Sequence, residues 1–256
     1  MYPVLFRIGS YEVTTFGLMV AIGAGLGVLL LRHELARRRL DAGVGTDAAL
    51  VGVLGGLAGA KLLYVLEHLG EGLGATLLSR GGMSWFGGLV GGVAAGLIVV
   101  WRKRLPVMAM LAAAAPAITL GQAVGRIGCF LVGDDYGRPT SLPWGISFPE
   151  GLPPTLDRVH PAQIYEAAAL FVVTWLLVRW RRNGVGDAHV FGRYLVLVSL
   201  TRFLIEFIRI NVRVALGLTV AQWFALCGMA AGVAFLALGR PGVRGPASGV
   251  RSQPRA

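Results

Sequence analysis

Seven apolar runs dominate the sequence and limit the folds that it can adopt. Each is about 20 residues long, the length of helix that crosses the ~30 Å hydrocarbon layer of a bilayer. Because backbone polar groups in lipid must be paired within the protein, such runs span a membrane as helices. The sequence predicts an all-α membrane protein, a polytopic bundle of about seven transmembrane helices, over residues 13–31, 48–66, 81–101, 106–124, 162–180, 189–208 and 218–238.

The composition excludes the main soluble classes. Hydrophobic residues make up 55% of the 256 residues and charged residues only 14%, whereas about a quarter of the residues in a soluble domain are charged. Two cysteines are too few for a disulfide scaffold. The net charge of +11 suits cytoplasmic loops and anionic membrane lipids, so we expect no nucleic-acid partner.

The basic residues predict an orientation. Of the 24 lysines and arginines, 14 follow the first, third, fifth and seventh runs, seven lie on the other side, and three lie within runs. By the positive-inside rule the N-terminus is outside and the C-terminus is cytoplasmic. We therefore expect a transmembrane domain over 1–239, an outer-face loop over 125–161, and a disordered cytoplasmic tail over 240–256.

Glycines recur at four-residue spacing in three of the runs. Small residues at this spacing allow helix backbones to approach closely in lipid. We interpret them as packing residues without a catalytic role: Gly23 and Gly27, Gly52 and Gly56, Gly55 and Gly59, Gly87 and Gly91, and Gly88 and Gly92.

Ionisable residues inside the runs indicate either a structural ion pair or a functional site, because each is costly in lipid. Arg193 lies near an inner end, where its side chain can reach the interface. The other four share the outer half of the bundle: Lys61, Glu166, Arg202 and Glu206. Arg202 and Glu206 are four residues apart and can pair on one helix face, together with Arg209. The same stripe can also face a lipid-headgroup cavity.

The outer loop begins with two arginines, two carboxylates and four glycines over residues 125–138. Arginine binds phosphate through a planar fork of donors, and glycine lets backbone N–H groups approach it. This composition favours a site for an anionic lipid headgroup. The alternative is an ordinary re-entrant loop whose charges satisfy one another.

The outer loop contains a spaced motif made of Arg126, Gly128, Phe130, Gly133 and Gly137, with Asp134 directly after Gly133. This motif matches the signature Gly-Arg-x-Gly-Asn-Phe-x-Asn-Gly-Glu-x-x-Gly, with Asp134 in place of the glutamate. Further stretches match at 17–19, 81–84, 87–89, 160–166, 202–203 and 206–207. With these motifs the sequence resembles the prolipoprotein diacylglyceryl transferase family to about residue 240.

The resemblance implies an enzyme of the bacterial plasma membrane. It would transfer the diacylglyceryl group of phosphatidylglycerol to the lipobox cysteine of preprolipoprotein signal peptides and release glycerol 1-phosphate, without a cofactor or metal. By position, Arg126 and Arg202 would bind the phosphate, and Glu206 would orient Arg202. Asp134 and Gly137 would shape the headgroup site.

Three further positions are expected to bind substrate by the same comparison. Lys61 stands where the family often has arginine. Arg138 is the second arginine of the loop. Glu166, together with His160, would tie the loop to the fifth run.

Three departures from the family pattern fall at substrate-binding positions: Phe16, Phe86 and Cys129 replace a tyrosine, a histidine and an asparagine. The histidine is the usual candidate for a base, so we hypothesise that arginines activate the substrate thiol instead, since nearby cations lower a thiol pKa. Cys129 either fills the space of the asparagine or accepts the lipid first in a covalent relay. The departures also leave open a non-catalytic paralogue that binds phospholipid or lipoprotein. A transporter is less favoured, because inverted repeats and midplane charges are missing.

Overall fold

The computed structural model describes residues 4–9, 11–71, 73–78 and 83–239. Its helices are α1 Thr15–Arg37, α2 Ala42–Glu67, α3 Leu73–Leu78, α4 Trp85–Arg102, α5 Val107–Val132, α6 Ala162–Arg182, α7 Asp187–Ile205 and α8 Val220–Leu238. Six of those in the described residues are long and apolar enough to cross a membrane, α4 is slightly shorter, and α3 is a single short segment. The chain is therefore an all-α, multi-pass membrane protein, as the sequence predicts.

The seven long helices alternate in direction, which gives the bundle two distinct ends. We call the end where α5 finishes and α6 begins the loop end. Antiparallel hairpins occupy this end in the described residues: β1 Val4–Ile8 with β2 Tyr11–Thr14, β3 Ile146–Phe148 with β4 Thr155–Val159, and β5 Arg213–Ala215 with β6 Leu218–Thr219. The connection between α5 and α6 folds around a small core of Tyr136, Phe148 and Val159.

Each predicted run contains a helix, but several boundaries differ from the prediction. Helix α1 continues to Arg37, helix α2 begins at Ala42, and two further differences lie at the loop end. The predicted loop over 125–161 is wrong at its start, because α5 continues to Val132 and ends at Gly133 in the left-handed conformation (φ +78°). Such a C-cap suits glycine, which has no Cβ to clash. The helix α7 ends early, at Ile205, so Glu206 and Arg209 follow it instead of lying on its surface. Residues 81–82 of the predicted third run and the predicted tail over 240–256 lie outside the described residues.

The predicted glycine packing is confirmed between α2 and α4. A Cβ added at Gly59 would collide with the carbonyl oxygen of Gly87, and one added at Gly91 would collide with that of Gly55. In the α1–α5 pair, a Cβ on Gly23 would lie 2.9 Å from the carbonyl oxygen of Gly121. These backbones touch directly, so the glycines are required by the packing itself.

Gly59→Ala is expected to lower the free energy of unfolding by about 1–3 kcal/mol, because the methyl group overpacks the contact with Gly87. The matched control is Gly25→Ala on α1, where an added Cβ meets no atom within 4 Å. It should be neutral, or stabilising by about 0.5–1 kcal/mol, since alanine restricts the unfolded chain. Thermal unfolding followed by circular dichroism in detergent micelles compares the two. Equal shifts would contradict the assigned contact.

A buried ion pair joins α1 to α6 at the end opposite the loop end. The Nε of Arg181 donates a hydrogen bond of 2.6 Å to the Oε2 of Glu34, and both side chains are 1% exposed. Asp187, in the first turn of α7, lies 3.6 Å from Arg181. No sequence signal predicts the pairing of Glu34 with Arg181, which together with Asp187 connects three helices to one another.

An apolar cavity of about 450 Å³ lies between the α1–α5 pair and the α2–α4 pair. Small residues line much of it, among them Gly27, Gly52, Gly92, Ala114 and Gly121. The glycines therefore both bring helices together and leave apolar space beside them. An apolar cavity of this kind is suited to hydrocarbon.

Candidate active site

Three helix ends bring charged side chains together at the loop end. The last two turns of α5 carry Arg126, the first turns of α6 carry Glu166, and the last turn of α7 carries Arg202. The segments that follow α5 and α7 add further charges. Three arginines and three carboxylates alternate in a closed ring, which we call the charge ring: Arg126, Asp135, Arg209, Glu206, Arg202 and Glu166, in that order.

Glu166 joins the two helical arginines on one side of the charge ring. Its Oε2 lies 3.0 Å from the Nε of Arg126 and 3.6 Å from the Nη1 of Arg202. Arg126 continues the ring through its Nη1, which donates a hydrogen bond of 2.8 Å to the Oδ2 of Asp135. Glu166 therefore pairs with arginines of α5 and α7. The Nδ1 of His160, which lies just before α6, is 3.5 Å from the hydroxyl of Tyr165. The role of Glu166 and His160 in tying the loop to the fifth run stays a prediction.

Glu206 joins the two arginines on the other side. Its Oε2 lies 2.8 Å from the Nη2 of Arg202 and 3.8 Å from the Nε of Arg209. The Nη2 of Arg209 closes the ring by donating to the Oδ1 of Asp135. The second oxygen of Glu206 accepts a hydrogen bond of 2.6 Å from the amide of Asn211. The predicted Arg202–Glu206 pair is present, although Glu206 caps the helix.

The charge ring has a buried side and an exposed side. The side chains of Glu206, Glu166 and Arg209 are 0%, 7% and 9% exposed, whereas those of Arg126 and Arg202 are 23% and 25% exposed. Buried charges need partners, and these carboxylates supply them. The buried carboxylates thus fix the arginines, and Arg126 and Arg202 keep about a quarter of their side chains exposed at the loop end.

Backbone contacts hold the segment that follows α5, residues 133–138, against the end of α7. The Gly137 N–H donates to the His160 carbonyl at 2.9 Å, and the Arg138 N–H donates to the Ile208 carbonyl at 2.8 Å. A Cβ on Gly137 would lie 2.8 Å from the same Ile208 oxygen. Glycine at 137 is therefore needed for this close approach, while the side chain of Arg138 points to the exposed surface.

Asp134 and Asp135 are adjacent but differ in environment. Burial raises the pKa of Asp134 above its ordinary value, and the charge of Asp135 acts in the same direction. For Asp135, burial also acts to raise the pKa, but hydrogen bonds and charge from Arg209 and Arg126 lower it below its ordinary value. Asp135 is therefore ionised at neutral pH, as its place in the charge ring requires.

Of the three departures from the family pattern, Cys129 contacts the charge ring directly. Cys129 is buried, with its Sγ 3.9 Å from the Nη1 of Arg126, and both cysteines are free. Phe16 packs over Gly128, one residue earlier on α5. The ring of Phe86, at the start of α4, lies 4.9 Å from that of Phe224 on α8. An aromatic contact between two helices thus occupies the place of the expected histidine.

Lys61 lies outside the charge ring. Its Nζ lies 5.5 Å from the ring centroid of Tyr64, one turn further along α2. A possible metal-ligand cluster within the described residues consists of Cys129, Asp134 and Asp135, whose donor atoms lie within 4.8 Å of one another. Arg126 and Arg209 already pair with Asp135, so this carboxylate of the cluster is neutralised by arginine side chains.

Two members of the charge ring had no role in the sequence analysis. Arg209 was placed on the stripe of Arg202 without a function, and Asp135 was only one of two loop carboxylates. The sequence signal for them is the mixture of acids and arginines in two separate segments, residues 125–138 and 202–209. Which acid meets which arginine depends on the packing of α5 against α7, which the sequence does not display.

Seven long helices with an arginine–carboxylate ring at one end define a polytopic membrane protein with a charged site at that end of the bundle. The family model for prolipoprotein diacylglyceryl transferase matches residues 3–238. The chain belongs to this family, which confirms the resemblance, and it is an enzyme of the transferase class.

Relatives named phosphatidylglycerol–prolipoprotein diacylglyceryl transferase are similar over most of their length. The one from Clostridium tetani is 31% identical over 82% of this chain and 86% of its own. The relative from Bordetella bronchiseptica is 34% identical over 93% and 96%. The relative from Geobacter sulfurreducens is 36% identical over 81% and 82%.

Proposed function

We propose that the protein transfers the diacylglyceryl group of phosphatidylglycerol to the lipobox cysteine of preprolipoproteins and releases glycerol 1-phosphate. The observation that carries this proposal is the charge ring, which presents arginines at one end of a membrane-spanning bundle. The excess of basic residues at the other end supports an N-terminus outside, a cytoplasmic C-terminus, and a site at the outer leaflet of the bacterial plasma membrane.

Arg126 and Arg202 are the groups that bind the phosphate in this proposal. Both are partly exposed and both are paired with Glu166, so their guanidinium planes are held in place. Glu206 orients Arg202 from the buried side. Donors that are already positioned stabilise developing charge without having to reorganise during the reaction.

The reaction exchanges one bond for another at a glyceryl carbon. The sulfur of the substrate cysteine forms a C–S bond with that carbon, and the C–O bond to phosphate breaks. Its electron pair leaves on the phosphate oxygen, where the arginines stabilise the added charge, and the thiol proton passes to solvent. The apolar cavity between the α1–α5 and α2–α4 pairs supplies space for an acyl chain of the lipid.

We infer that the arginines activate the substrate thiol and that position 86 carries no base. Phe86→His should then leave turnover at neutral pH within about twofold of the parent, because the thiol is already activated by nearby cations. Phe86→Leu is the matched control, since it also disrupts the contact with Phe224 but adds no titratable group. The measurement is transfer rate against pH. A many-fold gain for Phe86→His at neutral pH, absent at high pH, would show that a base was missing.

Complementation tests the proposed function in the cell. The gene should restore growth and lipoprotein maturation to a bacterium depleted of its own transferase. A protein that inserts in the membrane and binds phosphatidylglycerol without rescue would be the non-catalytic paralogue, and the proposal would be wrong. The packing of Phe86 against Phe224, in place of a histidine, makes this comparison necessary.

A further inference from the structure

Asp135 differs from the other two carboxylates of the charge ring in exposure. Its side chain is 39% exposed, whereas those of Glu166 and Glu206 are 7% and 0% exposed. The two glutamates are fixed to helix ends. Asp135 instead belongs to the segment after α5, outside any helix.

The contacts of Asp135 are those of a small bidentate anion. One carboxylate oxygen accepts from Arg126 and the other from Arg209, so the group bridges two guanidinium ions. Arginine binds carboxylate and phosphate through the same fork of donors. A phosphate group that reached the exposed side of the ring would therefore compete with Asp135 for the same N–H groups.

The backbone conformation of Asp135 is consistent with a side chain that is held in place by its ion-pair partners. Its φ is +61°, in the left-handed region that residues other than glycine adopt rarely and at an energetic cost. Such conformations persist where surrounding contacts enforce them, and they concentrate at functional sites. Here Arg126 and Arg209 hold the side chain of the residue that adopts this conformation.

The net charge of the charge ring is also consistent with the displacement of Asp135 by a phosphodiester. With Asp135 in place, three guanidinium ions face three carboxylates and the ring is neutral. Without it, the ring carries one net positive charge, which equals the single negative charge of a phosphodiester. The ring is thus neutral both when empty and when it holds a phospholipid in place of Asp135.

We propose that Asp135 is an internal counter-ion that occupies the phosphate position of the empty site and is displaced by the phosphate of the substrate. Arg209 then becomes a third phosphate-binding residue beside Arg126 and Arg202. The identity of the lipid rests on the proposed function, but the displacement itself concerns any phosphate ester that reaches the ring.

The same arrangement favours release of the product. A phosphate monoester carries about −1.5 to −2 charges at neutral pH, more than the one positive charge that the ring has without Asp135. The return of Asp135 to Arg126 and Arg209 restores neutrality and competes with the bound monoester. Asp135 thereby limits product inhibition.

Asp135→Asn is the direct test, because asparagine tolerates the left-handed conformation and lacks the charge. Binding of glycerol 1-phosphate is measured by calorimetry, with the protein in nanodiscs of phosphatidylcholine. The dissociation constant should fall about tenfold, as expected when a competing state that fills roughly nine-tenths of the empty sites is removed. Asp135→Gly, which also suits a positive φ, should act in the same direction. An unchanged or weaker affinity in these variants would overturn the proposal.

Two controls accompany this measurement. Asp157→Asn removes an exposed carboxylate on β4 at the loop end, away from the charge ring, and should leave the affinity unchanged. Glu206→Gln removes a buried carboxylate that fixes Arg202. It should weaken binding, the opposite of the effect at 135. A gain in all three variants would mean that loss of any negative charge suffices, which would contradict a specific role of Asp135.

A second binding measurement shows whether Asp135 is displaced by the lipid or only by the free phosphate ester. Comparison with the transfer activity then separates the displacement from the proposed function. Native mass spectrometry of protein taken from vesicles of equal phosphatidylglycerol and phosphatidylcholine should show more bound phosphatidylglycerol in Asp135→Asn than in the parent. A gain for glycerol 1-phosphate alone would place only the free ester at this site and overturn displacement by the lipid. If the parent fails to transfer lipid but both gains appear, the proposed function fails and the displacement stands.

Discussion

Arg126→Gln is expected to lower kcat for lipid transfer by about 10²–10³-fold, the usual effect of removing one positioned donor from a developing charge. Arg126 is the only arginine of the charge ring that contacts both Glu166 and Asp135. Glu166 keeps its contact with Arg202, so the variant retains a partner for the buried carboxylate. The measurement is the rate of diacylglyceryl transfer to a lipobox peptide in nanodiscs of phosphatidylglycerol.

Two comparisons separate this effect from a general loss of positive charge. Arg126→Lys keeps the charge but cannot bind two carboxylates and a phosphate with a planar fork, so it should rescue only part of the rate. Arg213→Gln removes an exposed arginine on β5 at the same end of the bundle and should leave the rate unchanged. If Arg126→Gln kept more than half of the parent rate, the assigned role would be wrong.

Glu34→Gln is expected to produce the largest loss of stability, about 3 kcal/mol in the free energy of unfolding. The change leaves the guanidinium of Arg181 buried without its closest counter-ion, and such uncompensated charges are strongly destabilising. Asp187, at 3.6 Å, compensates only in part. Thermal unfolding in detergent micelles measures the effect.

Arg37→Gln is the matched control for this prediction. Arg37 pairs with the same glutamate at 3.0 Å, but its side chain is 33% exposed, and exposed ion pairs contribute about 0–1 kcal/mol. It should therefore change the unfolding free energy little. Losses of equal size in the two variants would contradict the assignment of stability to the buried Glu34–Arg181 pair.

The bundle could be predicted from the sequence because its signal is local. A run of about 20 apolar residues reports a spanning helix without knowledge of its neighbours. Glycine spacing likewise predicted close helix packing, although the pairing of Gly59 on α2 with Gly87 on α4 comes from the structure. The end of α5 was predicted too early, because Gly125 and Arg126 were interpreted as the start of a loop although the helix accommodates both.

The charge ring could be predicted only in part, because its contacts join distant segments. Arg202 and Glu206 are four residues apart and could be paired from helix geometry. Asp135 bridges Arg126 and Arg209, and its contact with Arg209 joins residues that are 74 positions apart in the sequence. Glu34 and Arg181, separated by 147 positions, were missed for the same reason. The resemblance to a family supplied residues at matching positions but not these pairings.

The most direct test of the account uses purified protein with phosphatidylglycerol and a lipobox peptide. The account predicts a peptide whose mass has increased by one diacylglyceryl group at cysteine, with glycerol 1-phosphate released in equal amount, and neither product when phosphatidylcholine replaces the lipid. An unmodified peptide after incubation with folded protein and phosphatidylglycerol would contradict it.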